Sequence, residues 1–252
     1  MSRLGKNSAS RIAMAMALTG FALGAGLPPA YAVDGLECAD KDGNSFGSNA
    51  NGSDGNTACG RNAHANNIDG TATGNSAFGA ESDARGNNSS ANTAVGFFAN
   101  ASGDTSRNAA FGTGAQAFGA NSFNNSSGFA ADASGDLSAN NAHGESADAH
   151  DNNSRNNANG AETDASGDGS ANNASGFLAN ASGNSSSNNA SGDQADAHGN
   201  GSANTASGFG ANASGDVNHN AAFGAAANAS GANSSNNAIG DRAKASGNNR
   251  TT

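Results

Sequence analysis

Residues 92–107 read NTAVGFFANASGDTSR, and nine further versions of this phrase follow without interruption as far as residue 251. We number the positions of each version as places 1 to 16, and the versions themselves as turns one to ten. Place 5 is always glycine and place 10 is always alanine. Place 1 is asparagine in all ten turns, at Asn92, Asn108, Asn124, Asn140, Asn156, Asn172, Asn188, Asn204, Asn220 and Asn236. A short fixed period is typical of a solenoid, in which each turn buries its inner face only against neighbouring turns.

The alternation of residue types within a turn predicts two short strands, at places 1–5 and 8–12. Glycine bounds each segment and supplies the positive φ that tight turns need. Places 8 and 10 are almost always alanine, whereas place 9 is Asn, Asp, Gln or Lys. A period of two therefore points the alanines inward and place 9 outward. Helix is the poorer interpretation because glycine and asparagine each cost up to about 1 kcal/mol in a helix interior. The sequence thus predicts an all-β parallel solenoid with 16-residue, two-strand turns and a narrow alanine-filled interior.

The asparagines at place 1 would stack one per turn, about 4.8 Å apart along a parallel sheet. We predict that their side-chain amides hydrogen-bond to one another in a ladder.

An alanine interior buries little area per residue, so we expect further burial where outward-facing apolar residues meet other copies of the chain. Two sets of phenylalanines recur at outward places. We predict that they form an intersubunit contact or, alternatively, an exposed adhesive patch. The candidates are Phe111 and Phe223 at place 4, and Phe97, Phe129, Phe177 and Phe209 at place 6.

Residues 1–32 have the pattern of a secretory signal peptide: a basic start, an apolar run over residues 12–27 and the small-x-small sequence Ala30-Tyr31-Ala32. A membrane-spanning helix is the less favoured alternative, because three glycines dilute a short run. The signal carries three of the 11 basic residues and no acidic one, so the remaining chain has 11 − 3 = 8 basic against 21 acidic residues, a formal charge of −13. This charge has the wrong sign for binding nucleic acid or anionic lipid.

Residues 33–91 repeat the same phrase at irregular intervals, and we interpret them as an amino-terminal cap with irregular repeats that precedes the regular turns at residues 92–252. The glycines that end the phrase stand at Gly60, Gly79 and Gly96, so the intervals are 79 − 60 = 19 and 96 − 79 = 17. Cys38 and Cys59 are the only cysteines. An even number in an exported chain predicts one disulfide between them.

No motif for an enzyme is recognisable: the sequence lacks a nucleophile elbow, an HExxH helix and a phosphate-binding loop. We therefore expect no catalytic residues and no cofactor. His150 and His198 share place 11 with serines and are interpreted as serine substitutes. Asp132, Asp148 and Asp164 occupy place 9 of three successive turns. Stacked carboxylates repel one another, which leaves two interpretations, a calcium site or a solvated acidic face.

Several phrases resemble a known family: NTAVG at residues 92–96, ANASG at 99–103, NAAFG at 108–112 and NTACG at 56–60. They are similar to the head repeats of the YadA-like trimeric autotransporter adhesins, and the similarity covers about residues 44–250. Such heads are left-handed parallel β-rolls in which three chains pack side by side and bind host matrix proteins or cell surfaces. The resemblance therefore implies a left-handed homotrimer.

Two features depart from the family pattern. The glycine interval alternates between 103 − 96 = 7 and 112 − 103 = 9, and no coiled-coil stalk or membrane anchor follows the repeats. The chain is then either a fragment of a longer protein or a head that is released.

These observations predict an exported, non-enzymatic adhesin head, located at the surface of a Gram-negative bacterium or secreted, with host matrix or cells as its partner. The alternative is a secreted structural or ice-binding solenoid, whose flat repetitive face would order water or template a matrix.

Overall fold

The computed structural model describes residues 36–38, 47–50, 55–67, 74–88 and 90–248. Within these ranges the chain forms a single sheet of 13 parallel strands, hydrogen-bonded in chain order, and no helix. The strands are β1 Leu36–Glu37, β2 Thr57–Cys59, β3 Ser76–Phe78, β4 Thr93–Val95, β5 Ala109–Phe111, β6 Asn125–Ser127, β7 Asn141–His143, β8 Asn157–Asn159, β9 Asn173–Ser175, β10 Asn189–Ser191, β11 Thr205–Ser207, β12 Ala221–Phe223 and β13 Asn237–Ile239. The predicted signal peptide, residues 1–32, lies outside the described ranges. Nowhere in those ranges is there a helix that could cross a membrane.

The register shows that every strand pairs with the equivalent strand one turn later. In the regular part Ala142 pairs with Ala158, an interval of 158 − 142 = 16 residues. In the irregular part Ala58 pairs with Ala77 and Ala77 with Ala94, intervals of 19 and 17. The predicted all-β parallel solenoid with turns of about 16 residues is confirmed, and the irregular repeats belong to the same sheet.

The second predicted strand is much shorter than expected. Places 8–12 form only a one-residue bridge at place 9 in each turn, as between Asp132 and Asp148. The cause is a local hydrogen bond: the Ser134 backbone N–H donates to Asp132 Oδ1 at 2.9 Å, and the Ser134 hydroxyl donates to the same oxygen at 2.6 Å. Place 11 is thereby bent back onto place 9, and the extended conformation ends there.

The interior is formed by alanines at places 3, 8 and 10, as predicted. Ala131, Ala133 and Ala142 have at most 1% of their surface exposed, and equivalent alanines line the solenoid from Ala50 to Ala238. The place 9 side chain Asp132, between two of these alanines, is only partly buried. Alternation of inward and outward side chains is therefore confirmed for this part of the turn.

The place 1 asparagines do not form the predicted amide ladder, because their side chains point inward. Asn140 is fully buried. Its Oδ1 accepts hydrogen bonds from the backbone N–H of Asn156 at 3.0 Å and from the Ser154 hydroxyl at 2.9 Å. Its Nδ2 donates to the carbonyl oxygens of Ser134 at 3.0 Å and Asp151 at 2.8 Å. Each place 1 amide thus joins its own turn to the turns on either side, through backbone groups and a serine hydroxyl rather than through another asparagine side chain.

The same four hydrogen bonds recur around every place 1 asparagine from Asn92 to Asn188. An amide has two N–H donors and two acceptor lone pairs, so these bonds use its full capacity. A side-chain amide ladder does exist, but at the exposed place 2. There Asn157 Nδ2 donates to Asn173 Oδ1 at 2.9 Å, and Asn173 Nδ2 donates to Asn189 Oδ1 at 3.1 Å.

A disulfide joins Cys38 to Cys59, with the two Cα atoms 4.7 Å apart. Cys59 ends β2, and Cys38 directly follows β1, where its backbone N–H donates to the Ala58 carbonyl oxygen at 3.0 Å. The disulfide therefore ties together the first two strands of the sheet.

We predict that Ala133→Leu lowers the free energy of unfolding by at least about 1 to 3 kcal/mol, because the interior has no room for three additional carbons. The matched control is Asp132→Asn, one residue away and facing outward, which keeps the oxygen that Ser134 bonds. Urea denaturation followed by circular dichroism measures both. Equal effects of the two changes would contradict the inward and outward assignment.

We also predict that Asn140→Asp destabilises the solenoid far more than Asn141→Asp. The first change replaces both side-chain donors with a buried carboxylate that faces the carbonyl oxygens of Ser134 and Asp151. These oxygens keep only their bonds from the Asp151 N–H and the Ser154 hydroxyl, and the new carboxylate oxygen has no donor, at a cost of about 1 to 3 kcal/mol or more. The second change adds the same charge to an exposed side chain in the adjacent position. Denaturation midpoints of the two variants at neutral pH provide the comparison, and a similar loss in both would show that the Asn140 network contributes little.

Candidate interaction surfaces

The outside of each turn presents four surfaces in chain order. We call them the sheet face (places 2 and 4), the first turn (places 6 and 7), the bridge face (places 9 and 11) and the groove (places 14 to 16). Along the chain, the sheet face of each repeat is preceded by the groove residues of the previous repeat and followed by the first turn of its own repeat. Each surface repeats along the solenoid because the register is constant from turn to turn.

The first turn holds its large side chains outward. Place 7 adopts a left-handed backbone, with φ of 56° at Phe98 and 55° at Leu178, between the glycine of place 5 and the inward residue of place 8. Phe129 and Phe209 at place 6 are 58% and 62% exposed, and Phe97 and Phe177 are also exposed. All four predicted place 6 phenylalanines therefore lie in one row along the same edge of the solenoid.

Phe111 and Phe223 lie on a different surface, the sheet face. Both are exposed at the ends of their strands, where Phe111 pairs with Val95 and Phe223 with Ile239. They stand seven turns apart, since 223 − 111 = 112 = 7 × 16. Serine, histidine and asparagine occupy place 4 in the turns between them. The structure therefore distributes the six predicted phenylalanines over two surfaces.

The bridge face brings Asp132, Asp148 and Asp164 onto successive rungs, where each pairs with the next through its backbone. Each carboxylate is already bonded within its own turn. Asp164 Oδ1, for example, accepts from the Ser166 hydroxyl at 2.6 Å and from its N–H at 2.9 Å. Over the described part of the chain no group of three or more His, Cys, Asp or Glu side chains is arranged to hold a metal ion.

The histidines of the bridge face confirm the interpretation of His150 and His198 as serine substitutes. His198 Nδ1 lies 2.5 Å from Asp196 Oδ1, and His150 Nδ1 bonds Asp148 Oδ1, which reproduces the contact that serine makes elsewhere. The hydrogen bond to Asp148 raises the pKa of His150 to about 9, although partial burial opposes this rise. The pKa of His198 is raised in the same way by its bond to Asp196.

The groove was not foreseen from the sequence. It runs along places 14 to 16 of turns two to six and has a volume of about 590 Å³. Exposed Phe123 and Leu137 contribute apolar surface to it, and Arg155 contributes a positive charge. Just beyond the groove, the Arg107 guanidinium lies 5.7 Å from the centre of the Phe123 ring. One sequence feature could have indicated this surface: arginine occurs twice at place 16, at Arg107 and Arg155, in a strongly acidic chain.

Comparison with known proteins adds no assignment: no protein-family model matches the chain, and a search of curated proteins finds no relative. The resemblance to YadA-like heads remains a prediction that depends on the repeated phrases.

The raised pKa of His150 predicts a pH dependence of stability. Its pKa in the folded state, about 9, lies above the ordinary value of 6.5, so its stabilising effect is complete below pH 6.5 and is lost as the pH rises to about 9. We expect the urea midpoint to fall between pH 6.5 and 9 and to fall less in His150→Ser, where serine makes the uncharged version of the bond. An NMR titration of the His150 ring gives the direct readout, and a midpoint at or below pH 6.5 would contradict the assignment.

Proposed function

We propose that this chain is the head of an exported bacterial adhesin, a non-enzymatic and left-handed β-roll that acts as a homotrimer and attaches to host extracellular matrix or cell surfaces. The observation that supports the proposal is the placement of large apolar side chains. The interior contains mainly alanine, asparagine and serine, whereas Phe129, Phe209 and their equivalents are exposed in a row. Such a row is expected on a chain that associates with others.

Side-by-side association would bury the exposed phenylalanines and add apolar contact to an interior of small residues. Ten regular turns in each of three chains would then present many copies of the same shallow surface. Weak contacts made in many copies give a combined affinity that can exceed the single affinity by about 10² to 10⁴. An adhesin of this kind needs neither a deep pocket nor a catalytic group.

The sequence resemblance and the predicted signal peptide both support a location outside the cytoplasm, at the cell surface or in the medium. The adhesin needs no cofactor under this proposal. Calcium on the bridge face is not part of it, because the serine and histidine bonds to Asp132, Asp148 and Asp164 already provide those carboxylates with partners.

The second candidate is a secreted structural or ice-binding solenoid, and one observation favours it. The sheet face carries the exposed amide ladder of Asn157, Asn173 and Asn189, in strands that pair in constant register. A flat, periodic array of donors and acceptors could order water or a matrix surface.

The test uses the mature chain, residues 33–252. We expect light scattering to give the mass of a trimer at micromolar concentration, and a melting temperature that rises with protein concentration because folding and association are linked. The trimer should also bind immobilised extracellular matrix proteins, and it should lose most of this binding when dilution separates the chains. A folded β-rich monomer that lowers the freezing point below the melting point of ice would instead establish the second candidate.

A further inference from the structure

Two surfaces of this chain, the first turn (places 6 and 7) and the groove (places 14 to 16), carry side chains of complementary charge or apolar character in the same 16-residue repeat. We propose that the first turn of one copy packs into the groove of the next copy at the same level, so that repeated contacts close into a ring. This inference rests on the homotrimer of the proposed function and names the surfaces that would hold it together.

Charge complementarity is clearest in turn four. Glu145 occupies the first turn at place 6, and Arg155 lies in the groove at place 16; both side chains are exposed. Basic residues are scarce in the mature chain, which has 8 of them against 21 acidic ones, and two of the 8, Arg107 and Arg155, stand at place 16. In the ring, Glu145 of one copy meets Arg155 of the next and forms an ion pair between chains.

Apolar residues match in turns three and eight. In turn three, Phe129 lies at place 6 and Leu137 lies in the groove at place 14. These residues are 58% and 65% exposed. Phe209 has Val217 at the same place 14 of its own turn, beyond the cavity of turns two to six, and these residues are 62% and 63% exposed. In turn one, just beyond the groove, the aromatic pair Phe97 and Phe98 corresponds to Arg107 at place 16, whose guanidinium also lies over the Phe123 ring of its own chain.

Turns five, seven and nine offer no apolar pair or charge pair, and turns two and six are mismatched. Phe177 of turn six would meet Ser185, and Phe123 of turn two would meet Thr113. The contact is therefore concentrated in turns one, three, four and eight, which spread along the length of the regular solenoid.

Ring closure determines the level at which the surfaces meet. A contact between two different surfaces generates a closed ring only when the repeated step has no net translation, and otherwise it builds a helical filament. The first turn of one copy (places 6 and 7) and the groove of the next copy must therefore meet at the same level, repeat against equivalent repeat. A stagger by one turn would place Glu145 against Leu137 and would instead bring Glu162 to Arg155, so the two arrangements can be distinguished by charge exchange.

The first experiment exchanges charges in the mature chain. Glu145→Arg and Arg155→Glu should each raise the concentration at which half of the chains are trimeric by at least about tenfold, because like charges then face each other. The double variant should restore the original value. Asp193→Arg is the control, since it makes the same kind of change at place 6 of turn seven, where the groove has Gly201 and Ala203; it also removes the 3.2 Å hydrogen bond that Asp193 Oδ1 accepts from the Phe177 N–H, so its stability is measured alongside. Circular dichroism checks that all variants keep the β-solenoid, which is expected because these side chains are exposed.

The second experiment uses cysteine pairs. A chain carrying both Phe129→Cys and Leu137→Cys should form covalently linked trimers under mild oxidation, visible on a non-reducing gel. Each single variant can link at most two chains and is the control. Covalent trimers from the pair would support the proposed contact.

The outcomes separate the two proposals. A wild-type chain that stays monomeric removes the trimer and this inference together. A trimer that is insensitive to both charge changes and forms no linked trimers keeps the proposed function and overturns the assignment of surfaces. The third outcome concerns the level of the contact. If Glu162→Arg with Arg155→Glu restores the wild-type concentration of half-trimerisation, and Glu145→Arg with Arg155→Glu does not, the same-level ring is overturned and a staggered assembly is indicated.

Discussion

The buried asparagine of place 1 is the group on which the rest of the solenoid depends. Asn140 accepts from the backbone of the following turn and donates to two carbonyl oxygens, that of Ser134 in the preceding turn and that of Asp151 in its own turn. Those backbone groups lie inside, away from solvent, where an unpaired donor or acceptor costs about 1 to 3 kcal/mol. Because only an amide offers two donors and two lone pairs in so small a volume, the same residue is required once in every turn.

A second constraint is the close approach of successive turns at glycine. Gly128 adopts a φ of 151°, and a Cβ added there would lie against the carbonyl oxygen of Gly144 in the next turn. Asp151 is the one described residue that replaces glycine at place 12, with a φ of 112°. Together with the alanines, these requirements leave no interior place for a large side chain. Interior substitutions are therefore limited to small residues such as Ser126 and Thr163, and charged and large apolar side chains are found on the outside.

The surfaces differ in how far they were predictable. Inward alanines and an outward Asp132 follow from a period of two, since alternation needs no knowledge of distant residues. The direction of the Asn140 side chain was missed, because an asparagine in a strand is ordinarily expected to face solvent. The short bridge at Asp132 was also missed, since it depends on the local bond from Ser134. The groove beside Leu137 is not predictable from one repeat, because its lining comes from places 14 to 16 of several repeats.

The sequence by itself determined the period, the parallel stacking and the alanine interior of this protein, because a repeat of fixed length imposes one register on all its turns. Only the tertiary structure decided which polar side chains are buried, how short the second strand is and which exposed residues share a surface. The physical reason is that these features depend on hydrogen bonds and contacts between turns. Phe111 and Phe129 illustrate this, since they are close in sequence and similar in type, yet they lie on different surfaces of the same solenoid.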